Sequence, residues 1–179
     1  DLAYLLDSPI ELSEFDMRSW TIGEGEARQT MRIAFHHDGD ADLLDEYAAQ
    51  AQKVVAEEIR IFGEAPRFDF GTYTFLADFV PYATGDGMEH RNSTYLTGAR
   101  SLYENELGQI GVLAHEFIHA WNVERLRPAA LEPFDFENAN PTTELWFAEG
   151  FTSYYAPLAL TRAGVKSHAD YLENIGGTL

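Results

Sequence analysis

The chain has 179 residues, 45 % of them hydrophobic, which is enough for one substantial core. Its 30 acidic against 12 basic residues give a formal net charge of −18, which argues against nucleic acid or an anionic membrane as a partner. The absence of cysteine excludes disulfides and thiolate-held metal ions, and it leaves cytoplasm and periplasm equally open.

From the N-terminus, ARQTMRIAFH (27–36) reads as a strand, with His36 and His37 exposed at its end. A helix is predicted over 41–62, where Leu44, Tyr47, Ala51, Val54, Val55 and Ile59 form one stripe. Asp40 or Asp42 caps its start and Gly63 ends it. RFDFGTYTFLADFV (67–80), with alternating aromatics, is a second strand. The segment ATGDGMEHRNSTYLTG (83–98) then places Gly85 and Gly87 ahead of Met88, Glu89 and His90. Glycine in an extended segment marks close approach of another backbone, as when a peptide lies along a sheet edge.

Next comes GVLAHEFIHAWNVERLRP (111–128), with two histidines around a glutamate. Leu107, Ile110, Leu113, Ala114, Phe117, Ile118 and Trp121 recur at helical intervals, and Pro128 supplies a stop. On a helix, His115 and His119 share one face a turn apart. Between Gly111 and Ala120 the strongly polar groups are His115, Glu116 and His119. Two imidazoles and a carboxylate on a buried helix are costly unless something satisfies them, and a divalent metal would do so.

A catalytic zinc takes three protein ligands, so a third is expected on another element. TTELWFAEGFTSYYAPLALTRAG (142–164) reads as a second helix, starting at Thr142 or Thr143 after Pro141 and capped by Gly164. Glu144 fits an exposed place in its first turn. Glu149, flanked by Trp146, Phe147, Ala148, Phe151 and Tyr155, is expected to be desolvated and to be the third ligand. Gly150 beside it, a poor helix former, suggests close approach of another helix or of a substrate.

HEFIHAWNVERLRP followed by LWFAEGFTSYY resembles the glycyl aminopeptidase family of zinc metallopeptidases, a thermolysin-like branch in which a distal glutamate completes a His-Glu-x-x-His site. The resemblance spans residues 70–179, and 29 residues separate His119 from Glu149, more than in thermolysin. It implies an α+β fold with a thermolysin-like core, a small sheet whose edge strand takes the substrate being packed on the metal-binding helices. It implies Zn2+ on His115, His119 and Glu149, with Glu116 as general base toward a zinc-activated water. The family segment Gly-x-Met-Glu-Asn corresponds to Gly87, Met88, Glu89 and His90, histidine replacing asparagine, and assigns Glu89 to the substrate's free amino group. The implied activity is removal of N-terminal residues, small ones such as Gly or Ala preferred, from peptides with a free N-terminus.

By the same resemblance, residues 1–15 are the tail end of an upstream β-rich domain or a linker. Residues 16–179 are then a catalytic domain truncated on its C-terminal side, with a further helical part and a PDZ-like module expected beyond. The family's oxyanion-stabilising tyrosine lies well past the distal glutamate; within this chain Tyr95, Tyr154 and Tyr155 are the residues to examine. The competing readings are an endopeptidase on the same scaffold, which would cut amino-blocked peptides as fast as free ones, and a catalytically silent peptide-binding module. The intact set His115, Glu116, His119 and Glu149 disfavours the latter.

Overall fold

The computed structural model describes residues 2–105 and 109–178. The chain runs α1 (Leu2–Leu6), β1 (Asp16–Ile22), β2 (Gln29–His37), α2 (Ala41–Phe62), β3 (Thr72–Phe79), β4 (Asp86–His90), β5 (Ser93–Gly98), α3 (Leu102–Asn105), α4 (Ile110–Ile118), α5 (Leu145–Arg162) and α6 (His168–Thr178). The strands form one mixed sheet in the order β1-β2-β3-β5-β4. Its central pairs β2/β3 and β3/β5 are parallel, while β1 and β4 join the two margins antiparallel.

Alternation in β3 decides which face is covered. Tyr73, Phe75, Ala77 and Phe79 are fully buried, and Met31, Ile33 and Phe35 of β2 join them on the same side. Against that face lies α2, its Leu44, Tyr47, Ala51, Val54 and Val55 nearly or wholly inaccessible. The predicted caps are in place: the Asp40 side chain accepts from Leu43 N at 3.0 Å, and Gly63, at φ 86°, donates its N–H to Ile59 O. One inward residue of α2 breaks the apolar stripe, since Glu58 is completely buried and neither of its carboxylate oxygens has a hydrogen-bond partner.

The short helix α4 is held by its own apolar residues. Phe117 packs its ring against Tyr73, Phe75 and Trp121 with centroids 5.2 to 5.6 Å away, and Leu113 and Ala114 are fully buried. Burying a phenylalanine of this kind contributes about 1.5–3 kcal/mol, enough to anchor a helix of only nine residues to the sheet. α4 stops sooner than Pro128 would require. His119 is its C-cap, and the chain turns at once through Ala120 N to Phe117 O and Trp121 N to Ile118 O, both 3.0 Å. Leu107, whose spacing places it on this helix, lies outside the described residues.

Other expectations shift with tertiary context. β1 has no counterpart among the predicted strands, the extended edge segment 83–98 folds into the two strands β4 and β5, and the strand predicted from 67 begins at Thr72 because Gly71, at φ 62°, closes a turn on Phe68. α5 begins at Leu145 rather than at Thr142 or Thr143, whose hydroxyls donate to the Glu144 carboxylate at 2.6 and 2.7 Å. His36 and His37 are not free at a strand end. His36 Nδ1 lies 2.8 Å from Asp78 Oδ1 and 3.5 Å from Glu11 Oε1, and His37 Nε2 lies 3.1 Å from Asp16 Oδ2. These pairs fasten residues 11–16 to the sheet.

Candidate metal centre

The polar side of α4 faces the edge strand β4 and the start of α5. His115 Nε2 and His119 Nε2 are 3.2 Å apart, Glu149 Oε2 is 3.1 Å from the first and Glu149 Oε1 is 3.6 Å from the second. His119 Nδ1 is 3.0 Å from the main-chain oxygen of Asn122. That oxygen can only accept, so a proton is assigned to Nδ1, and Nε2 is the nitrogen turned toward His115 and Glu149.

A divalent cation fits this donor set. Zinc bonds of about 2.0–2.1 Å in tetrahedral arrangement put ligand atoms about 3.4 Å apart, which matches the three separations above. The charges agree. Burial first, and the neighbouring Glu89, Glu149 and Asp86 after it, push the Glu116 carboxyl up to about 8, with no cationic side chain among its perturbers. For His115, burial is the largest influence and lowers its pKa, with His119 adding to this and Glu149 opposing it. A group of carboxylates beside two imidazole nitrogens is what a positive ion would stabilise.

Glu116 is 6 % exposed and Glu89, Glu116 and His119 also bring donor atoms within 4.8 Å of one another. The register explains why Glu89 is there. Gly87 opposes Leu96 and Glu89 opposes Thr94, so these alternate residues of β4 lie on the helix side of the sheet. Met88 and His90 belong to the other face. Met88 is 57 % exposed, and His90 Nδ1 pairs with Asp7 Oδ1 at 2.9 Å, so neither joins the cluster. A cleft of about 390 Å³ opens beside Glu116, lined by Gly85, Asp86, Gly87, Gly111, Val112 and His115. A larger cavity of about 460 Å³, between Tyr4, Arg32, Thr74 and Asn92, is on the opposite face and includes none of these groups.

Several expected details differ. Glu149 is not desolvated: its side chain is 44 % exposed because the aromatic residues around it, Trp146 and Phe151, themselves face outward. Nothing approaches Gly150, where an added Cβ would meet no atom within 4 Å. The candidate tyrosines have other partners. Tyr95 OH donates to Asp78 Oδ2 on the far face, Tyr154 lies against Tyr155 and Tyr171, and Tyr155 packs on Phe62.

Sequence reasoning passes over Asn122, which is 4 % exposed. Its Nδ2 donates to Ala148 O at 2.8 Å, Phe147 O at 3.1 Å and Thr152 Oγ1 at 3.1 Å. An asparagine three residues after the second histidine, inside an otherwise apolar run, is the available signal.

Residues 108–179 match the model of the M61 glycyl aminopeptidase family. Among solved structures, an aminopeptidase N family protein from Idiomarina loihiensis is similar, with a TM-score of 0.66 and 28 % identity, covering 88 % of this chain and 27 % of that one. The present chain thus spans about a quarter of that protein's length. No curated protein sequence matches. The two likenesses support the glycyl aminopeptidase assignment that the motifs suggest, and the second supports the mixed α+β fold.

Proposed function

Starting from the likeness to M61 glycyl aminopeptidases, we propose that this chain is the catalytic part of a zinc aminopeptidase acting on peptides with a free N-terminus. The observation that carries the reading is the convergence of His115, His119 and Glu149 within ligand distance of one another, with Glu116 and Glu89 on the adjoining wall. When bound, zinc supplies a Lewis acid that polarises the scissile carbonyl and acidifies water. His115 and His119 offer lone pairs and Glu149 offers the balancing charge.

Glu116 takes the proton of the attacking water and delivers it to the departing amine. Its environment suits both halves of that task. A carboxyl raised to about 8 by burial and by neighbouring carboxylates holds a proton firmly, and a cation beside it restores its ability to release one. Glu89, on the same side of the edge strand, pairs with the substrate's ammonium group and so fixes how far the first peptide bond reaches. The preference for small first residues such as Gly or Ala is taken from the family likeness. The unpaired margin of β4 offers main-chain groups along which an extended peptide can lie.

The test is digestion of paired peptides, free and acetylated at the N-terminus, by the full-length protein. Selective trimming of the free peptides is expected. Equal cleavage of both would replace the aminopeptidase reading with an endopeptidase one.

A further inference from the structure

The helix that carries the two histidines and the helix that carries Glu149 are separate in sequence, and few polar contacts join them. Among the described residues, the hydrogen bonds between segments 110–128 and 144–163 are His115 with Glu149 and the three donated by the Asn122 side chain. We infer that Asn122 is a positioning residue for the metal centre, clamping the Glu149 helix to the His119 turn so that the third ligand stands at the right distance. This rests on the zinc reading and adds a residue to it.

The clamp works through both ends of one residue. Its main-chain oxygen accepts from His119 Nδ1 at 3.0 Å, which fixes the ring's tautomer and direction. Its side-chain amide spans to the carbonyls of Phe147 and Ala148 and to Thr152 Oγ1, while Thr152 Oγ1 donates to Ala148 O at 2.7 Å. Glu149 sits between those anchoring positions in the first turns of α5. A displacement of that turn would therefore move the carboxylate directly.

The clamp is buried although the ligand it positions is not. Asn122, His119 and Thr152 are 4 %, 1 % and 0 % exposed, whereas the Glu149 side chain is 44 % exposed. An exposed carboxylate has many rotamers open to water, so its placement depends on the backbone beneath it. The turn itself is tightly constrained: Val123 holds φ 97°, a conformation in which β-branched residues are outliers, and donates its N–H to Leu126 O at 3.2 Å. That turn delivers Asn122 to α5 in the residue just before.

The experiment is zinc competition against a chromogenic chelator, with thermal melting of each protein in metal-free and zinc-loaded form. Removing a group that orients a ligand weakens metal binding by about 10- to 100-fold, and Asn122→Ala should fall in that range. The rise in melting temperature on zinc addition should shrink in this variant. A residue with a structural role alone would lower the metal-free melting temperature and leave zinc affinity and the zinc-induced rise unchanged, and that result overturns the inference. Should Asn122→Ala fail to fold, Thr152→Val decides: weakened zinc binding supports the clamp and unchanged binding overturns it. A wild-type protein that takes up no zinc overturns the zinc reading and the clamp together, whereas normal wild-type uptake with unaltered Asn122→Ala affinity overturns the clamp alone.

Discussion

A Cβ built on Gly87 lies 2.3 Å from Oε1 of Glu116 and 2.6 Å from its Cδ. The edge strand therefore needs glycine at this position to leave room for the carboxylate. Gly87→Ala would push the whole Glu116 side chain aside, since its Cγ is also only 2.7 Å away. A misplacement of about 1 Å at a catalytic group can cost 10²-fold in turnover. We expect kcat to fall by that order in Gly87→Ala while zinc content stays at the wild-type level, as read by steady-state kinetics beside elemental analysis. Unchanged kcat would mean that Glu116 does not work from the position seen here.

Glu116→Gln keeps the shape of the side chain and removes its ability to accept a proton. The variant should bind zinc as wild type does and lose turnover by about 10²- to 10⁴-fold, the range for a general acid–base. Retained activity would take Glu116 out of the mechanism.

Glu89→Ala deletes a carboxylate on the wall of the site without touching the three metal ligands. Peptides with a free amino group should lose far more kcat/KM than amino-blocked peptides, because only the former exchange a charge-assisted bond for nothing. Equal losses on both would leave Glu89 a structural part.

Glu58 gives a prediction about stability. Complete burial without a hydrogen-bond partner raises its pKa well above the usual carboxylate value. Between the ordinary unfolded value near 4.5 and the raised folded one, the native state holds a proton that the unfolded chain has released. Stability from this group is thus full below the unfolded pKa and falls as pH rises, by about 1.4 kcal/mol per pH unit across the window. Glu58→Met should therefore stabilise the protein more at pH 8 than at pH 5 in parallel urea titrations. A pH-independent difference would show that Glu58 finds a partner when ionised.

The caps of α2, Asp40 and Gly63, are legible in the amino-acid sequence because each acts within one turn of its own helix. The same holds for the four-residue spacing that brings His115 and His119 together. What the sequence hides depends on neighbours distant along the chain. Gly87 reads as a place for substrate backbone, yet the atoms above it belong to Glu116. Gly150 reads as a place where another helix or a substrate comes close, and no other helix does. The exposure of Glu149 depends on where Trp146 and Phe151 turn, and Asn122 gains meaning only with α5 lying across it. β1 carries Asp16, Arg18 and Ser19 among its apolar residues and becomes a strand by pairing with β2, a partner its own pattern does not announce.

The proposed function turns on His115, His119 and Glu149 holding one zinc ion. Elemental analysis of the purified full-length protein, alongside His115→Ala, His119→Ala and Glu149→Ala, measures it most directly. Close to one zinc per chain is expected in the wild type, with its removal in both histidine variants and a strongly reduced content in Glu149→Ala, whose carboxylate is the more exposed ligand. Full zinc retention in the two histidine variants, or a wild-type protein that takes up none, would contradict it.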